Sequence, residues 1–542
     1  MTQSTELRHD VMSKQRDEEP QQGAVDEKNG QLVGLDDSYT EEEERAVLRK
    51  IDCTILPMMC LVFFLQYLDK QSLSYASVFG LITDLKLTST QYSWCSSIFY
   101  IGQLVSEYPF IYLMSRLHLT KFVGVTVVIW GIICMCLAAP QNYAGFAAVR
   151  FLLGFAEGAV SPAFITITSI WYRKGEHALR TALWITMNGV AQICGCLLMY
   201  GIARNEALAL APWRTLFLVC GAITSASGVL FYLFMPNGPK DAWFLTPRQK
   251  QVLSLRMAKD REGGDKTSFS MRQLKEALLD VKTWFVFWFG VLVTMQSPVL
   301  TVGLSSPFTR TLLEALTEVK FASLVINTIG YDKYETMLYT APSGKECFHA
   351  ESQLKLTVPG AVQIGMLWLG VCGCMFFPKN RTLVALVLIL PPLAGNILLM
   401  KLSTDAGWGM IGASWLASCI TAVWSILLSL TASNVKGNTK RAIVNAMFFI
   451  GYCAGCIGAP QLWTEKPRYF NGVVTAIVTW CLLFVVIVAY RVLCSQDNSK
   501  RDSAAASGVG SDVTNGEVVL DSAGAPETDL TDKEDKLFRY SI

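Results

Sequence analysis

Of the 542 residues, 52% are hydrophobic and only 17% charged, with a mean hydropathy of +0.35; soluble domains carry about 25% charged residues, so the composition excludes an ordinary soluble protein and points to many membrane spans. A net charge of +2 without any block of basic residues gives no sign of a nucleic acid partner. The sixteen cysteines fall mostly in apolar runs with no histidine clusters beside them, so neither a secreted disulfide framework nor a metal site is expected, and no cofactor is called for.

Residues 1–50 are polar and acidic, lack the apolar core of a signal peptide, and read as a disordered cytosolic tail. A hydrocarbon layer of about 30 Å needs roughly 17–25 apolar residues per helix. Such runs occur at 54–76, 92–114, 121–139, 143–171, 180–203 and 213–235, giving a first bundle over 51–235. A charged linker, 236–283, separates them from runs at 284–301, 359–377, 382–400, 408–432, 441–463 and 472–494, a second bundle over 284–494. Residues 495–542 form a second polar tail. The expected fold is an all-α membrane protein of twelve transmembrane helices in two six-helix bundles, with a monomer in the lipid bilayer as the expected state.

An even number of spans puts both termini on one side. The short loops there carry Arg116, Lys121, Arg173, Lys174, Arg180, Lys379, Arg381, Lys436, Lys440 and Arg441, against Lys86, Arg204, Arg214, Lys401, Lys466 and Arg468 opposite. Basic loops stay in the cytosol, so both termini are expected there. One region fits badly: between Val302 and Pro359, polar pieces interrupt what should be the seventh and eighth spans.

Charged residues inside the spans are few. Arg150, Gly154, Glu157 and Ser161 share one stripe of the fourth helix, with Gly154 and Gly158 at a spacing that allows close helix approach. Asp69 and Lys70 lie in the first helix. Exposing Asp69, Lys70 and Glu157 to lipid would cost roughly 8–10 kcal/mol, so they must face a cavity or one another. Asn188, Gln192, Gln363, Asn396 and Asn445 are single polar residues in apolar helices; each alone reads as an interhelical hydrogen bond, and together they outline a wet cavity. Tyr67, Tyr75, Trp184 and Tyr452 either line such a cavity or mark an interface. Pro109, Pro162, Pro391 and Pro392 can bend helices, and the absence of a GxxxxGK[ST] loop argues against an ATP-driven pump.

Two six-helix halves joined by a linker resemble the major facilitator superfamily. RKIDCTILPMMCLVFFLQYLDKQSLSYASVFGL at 49–81, RFLLGFAEGAVSPAF followed by WYRKGEHALR, PNGPKDAWFLT at 236–246, NVKGNTKRAIVNAMFFIGYCAGCIGAPQLW at 434–463 and DLTDKEDKLFRY at 529–540 resemble its anion:cation symporter family, in the fungal allantoate permease-like branch. The resemblance implies a secondary transporter in the plasma membrane that moves a small organic anion, such as a ureido acid or a vitamin carboxylate, together with protons by alternating access. It implies proton coupling at Asp69 and Glu157 and anion binding at Lys70; Asn188, Gln192, Gln363 and Asn445 are the candidate pocket residues read from the helices themselves. Arg116, Arg150, Arg180, Lys440 and Arg441 read as gating or structural charges, and for Arg150 a structural ion pair is favoured. A lysine at position 70, where some relatives have arginine, removes a bidentate fork for carboxylate. The loop YLMSRLHLTKF lacks the acid that the superfamily motif carries near Ser115. Deleting 302–320 and 345–358 would restore the seventh and eighth helices of the family, so these segments read as retained introns, with a long exterior loop as the alternative. A membrane nutrient receptor and an export antiporter are the competing functional readings; an enzyme is not expected.

Overall fold

The computed structural model describes residues 39–203, 205, 208–260, 270–296, 358–377, 380–402, 408–462, 470–506, 531–535 and 538–542, and all regular structure among them is helical. Helix α1, Glu41–Ala76, starts earlier than expected: Thr40 caps it in a reciprocal box with Glu43, and Val47, Ile51, Ile55 and Met59 form a continuous buried stripe. Residues 41–50 are therefore helix, not tail. The chain then turns through Ser77–Leu81, where Gly80 at φ +99° takes a conformation that a side chain would strain.

Helices α2 (Ser89–Arg116), α3 (Leu119–Cys136), α4 (Tyr143–Trp171), α5 (Lys174–Ala203) and α6 (Pro212–Phe234) complete the first bundle. The linker contains α7 (Pro247–Asp260) and the amphipathic α8 (Met271–Leu279), which meets α9 (Val281–Thr294) at a 67° bend where Asp280 caps the new helix. The second bundle continues with α10 (Val358–Phe376), α11 (Arg381–Lys401), α12 (Gly412–Ser433), α13 (Asn438–Gly458) and α14 (Phe470–Ala506). The proposed insertions at 302–320 and 345–358 lie outside the described residues, except Val358 at the start of α10.

Packing repeats between the halves. In the first, α1 lies on α5, α2 on α4 and α3 on α6; in the second, α9 lies on α13, α10 on α12 and α11 on α14, the same pairing one bundle later. The halves meet where α2 packs on α13 and α5 on α10. Glycines set the α2–α4 distance: a Cβ at Gly102 would collide with the Phe151 carbonyl, and one at Gly154 with the Phe99 carbonyl.

At the end carrying the termini, charged side chains join the linker to the first bundle. The fully buried Arg256 of α7 binds Glu44 at 2.9 Å and Glu176, and Arg173 binds Glu44 at 2.7 Å. Burial alone would weaken the Arg256 charge, but hydrogen bonds and charge from Glu44 and Glu176 hold its pKa above the ordinary arginine value. Differences from expectation recur at the C-terminus. Helix α14 runs on to Ala506, and the described part of 531–542 packs against the second bundle.

Candidate functional site: a cavity between the bundles

A cavity of about 170 Å³ lies between the two bundles, room for several waters and so for a small solute. Polar residues at helical spacing bring it about. On α1, Gln66, Lys70 and Ser74 recur every four residues; on α2, Tyr92, Ser96, Tyr100 and Gln103 do nearly the same. Phe449, Tyr452 and Cys456 of α13 and Trp424 of α12 form the facing wall.

Among the described residues lining the cavity, Lys70 is the one that carries a charge. Its Nζ lies 2.8 Å from Glu157 Oε1, with the lysine side chain 17% exposed and the glutamate fully buried behind it. The local sequence of α4 creates this position. Pro162 has no N–H to offer the carbonyl of Gly158, so the helix breaks after Glu157 and resumes at Val160. Gly154 and Gly158 bring this break against α2.

Asp69 does not join the pair. It is fully buried, accepts the Thr224 hydroxyl of α6 at 3.1 Å, and does not line the cavity. Successive residues of a helix point about 100° apart, so Lys70 facing α4 turns Asp69 away. The structural ion pair expected for Arg150 is also corrected. Its guanidinium is buried over the rings of Phe146 and Phe217, each at 5.7 Å, and makes no ion pair among the described residues. Asp69 nevertheless lies within electrostatic reach of Glu157 and Arg150. Two acids and two bases thus form one cluster, three of them buried and Lys70 on the cavity wall, whose formal charges sum to zero when all four are ionised.

The other expected pocket residues divide. Asn188, Tyr67 and Tyr452 line the cavity; Gln192, Gln363 and Asn445 do not. Gln192 sits in the first bundle, where its backbone carbonyl accepts the Tyr75 hydroxyl at 3.3 Å, and Gln363 is buried in α10. Trp184 packs against Phe63 in the core. Asn396 donates to the Pro392 carbonyl at 2.7 Å, within α11. Arg180 binds Asp52 at 2.9 Å, Arg441 donates to the Val435 carbonyl, and the exposed Arg116 stacks on Tyr112. Lys440 is buried among Glu276, Asp280 and Asp532, all within 2.9 Å. None of these charges bridges the two bundles through the contacts described.

Sequence reasoning missed Gln66, Tyr100, Gln103 and Trp424. The spacing of polar residues along α1 and α2 carried the signal for the first three. Tyr100 and Tyr452 face each other across the halves at 6.1 Å, and Trp424 lies 6.5 Å from Tyr452. Gln66 Nε2, Gln103 Oε1, Asn188 Oδ1 and Trp424 Nε1 are buried without hydrogen-bond partners among the described residues. Such atoms carry a penalty of about 1–3 kcal/mol each until something polar meets them. At the end opposite the termini, Ser97 donates to the Ile457 carbonyl at 2.8 Å and accepts from Gln461 at 2.9 Å, tying α2 to the second bundle. No group of three or more potential metal ligands occurs among the described residues.

Residues 59–509 match the Major Facilitator Superfamily. The chain belongs to this superfamily. It is similar to an uncharacterized transporter of Schizosaccharomyces pombe, with 33% identity over 94% of this chain and 92% of that protein. It is also similar to the allantoate permease of Saccharomyces cerevisiae, 30% identical over 97% of this chain and 94% of the permease. Its fold matches the inward-open xylose transporter of E. coli with a TM-score of 0.55, at 14% identity, covering 79% of this chain and 95% of that one. This superfamily member is a multi-pass membrane transporter, not an enzyme, and the resemblance read from its motifs holds.

Proposed function

We propose that this transporter carries a small organic anion into the cell in symport with protons, from a plasma membrane in which both termini face the cytosol. The observation that carries the reading is the ion pair between Lys70, on the cavity wall, and the fully buried Glu157 behind it. Lys70 offers an entering carboxylate its positive charge. Sharing that charge leaves the four-charge cluster with one negative charge too many, in surroundings where an uncompensated charge is costly. Protonation of Glu157 restores neutrality, so anion and proton bind better together than apart. Such coupling is reciprocal by thermodynamic necessity.

Asp69 and Arg150 contribute to the same balance through space. Gln66 Nε2 and the Trp424 N–H donate to the acceptors of the anion, the Gln103 and Asn188 amide oxygens accept from its N–H or O–H groups, and the Tyr100, Tyr452 and Trp424 rings favour a flat body. Similarity to the allantoate permease supports an organic anion as cargo. The tie between Ser97 and the second bundle belongs to one end of an alternating-access cycle in which the halves rock about the cavity.

A thermal-shift screen of the purified protein with allantoate and other small carboxylates tests the reading. Binding carboxylates are expected to stabilise the protein more at mildly acidic than at mildly alkaline pH. Lys70→Gln is expected to abolish the effect. Stabilisation by a carboxylate that persists in Lys70→Gln would remove the lysine from the site.

A further inference from the structure

The C-terminal motif DLTDKEDKLFRY lies away from the cavity and its Lys70–Glu157 pair, yet its described residues pack on the second bundle. Thr531 and Glu534 close a small turn, the Thr531 N–H donating to Glu534 Oε2 at 3.0 Å and the Glu534 N–H to Thr531 Oγ1 at 3.4 Å. The Thr531 hydroxyl, itself fully buried, donates to Glu276 of α8 at 3.1 Å. Asp532 reaches Lys440 at 2.8 Å and accepts the Tyr540 hydroxyl at 2.7 Å. Tyr540 is 3% exposed, within the second bundle's core, and its ring covers Lys282 and Arg501.

The main chain is held as well. Asn434 donates to the Ser541 carbonyl at 2.9 Å and accepts its N–H at 2.7 Å; Asn498 does the same for Tyr540, at 2.9 Å both ways. Arg501 donates to the carbonyls of Asp532 and Phe538. Paired amides gripping a backbone, a buried tyrosine and a buried acid on a lysine are how a protein holds a peptide ligand. Here the ligand is tethered through residues 507–530, which lie outside the described set.

We propose that this face of the second bundle is a binding site for the chain's own C-terminal peptide, and that Thr531 is a phosphorylation site that switches it off. A phosphate brings about −1.5 to −2 charge and, beside carboxylates, disrupts by repulsion. At Thr531 it would meet Glu276, with Asp280 and Asp532 around the same lysine. Among the described residues, Lys440 is engaged with those three acids, Lys533 with Asp280, Lys436 with Asp535 and Arg272 with Glu534. The docked hydroxyl is closed to an enzyme, so a kinase acts on the released peptide and holds it released. In that step Thr531 Oγ1 attacks the γ-phosphorus of a nucleoside triphosphate and loses its proton to the kinase's base. The new O–P bond replaces the bond to the β-phosphate, and the nucleoside diphosphate leaves. Asp532, Glu534 and Asp535 after the acceptor suit a kinase with a basic substrate groove.

The test uses the full-length protein with a protease site introduced within 507–530, cut after purification in detergent. The severed wild-type peptide is expected to co-elute with the body on size exclusion, and the Thr531→Glu peptide to be lost. On the wild-type body, a synthetic 531–542 peptide should displace the severed one, and the same peptide phosphorylated at Thr531 should do so on the order of tenfold less well; this arm needs no folded variant. Loss of the severed wild-type peptide would overturn the binding site. Equal displacement by the two synthetic peptides would overturn the switch.

Discussion

At the scale of single side chains, the proposed chemistry rests on the ion pair of Lys70 and Glu157. An ion pair with one member fully buried is hard to break from one side: removing the lysine leaves a carboxylate without its counter-charge. Lys70→Met is therefore expected to destabilise the protein by about 3–5 kcal/mol, whereas the double variant Lys70→Met with Glu157→Leu recovers most of that loss. Thermal unfolding of the three proteins measures this, and equal losses in the single and double variants would mean that the pair is not the source. The pair was legible in sequence because a lone acid in an apolar helix demands a partner. That Asp69 stands apart was also available, since neighbours on a helix cannot share a direction. Arg150 was harder: aromatic rings replace the expected carboxylate, and ring packing leaves no mark in spacing.

At the scale of helices, the α2–α4 contact holds Glu157 beside the cavity. Gly154 touches the α2 backbone so closely that Gly154→Ala requires the helices to move apart, at about 1–3 kcal/mol. The melting temperature should fall, and carboxylate binding should weaken with it because Glu157 shifts from Lys70. Gly201, with open space around it, is the control: Gly201→Ala should not lower the melting temperature and should leave binding unchanged. The linker helix gives a separate prediction. Arg256→Met strips Glu44 and Glu176 of a shared cation, so protease cleavage within the linker should speed up while carboxylate binding is kept. The spans were readable from hydropathy, but α2 is less apolar than its role requires because its cavity face is polar. The early start of α1 and the docking of 531–542 were not readable. Both segments are polar in composition, and tertiary ion pairs hold them.

For the whole molecule, the repeated helix pairing gives two halves with a cavity between them, joined at the end opposite the termini by the contact of Ser97 with Ile457 and Gln461. The first half supplies the charged pair, the amides and Tyr100, and the second adds Trp424, Phe449 and Tyr452, so the two halves share the lining of the cavity. A construction of this kind moves solute only if loading alters the balance between the halves, and the four-charge cluster is where loading is felt. The most direct measurement is accumulation of a labelled carboxylate that the protein binds, in proteoliposomes with and without an imposed pH gradient, for wild type and Glu157→Gln. The account predicts gradient-driven accumulation by the wild type that a protonophore collapses, and a Glu157→Gln protein that still exchanges carboxylate across the membrane but no longer accumulates it. Gradient-driven accumulation by Glu157→Gln at the wild-type level would contradict it.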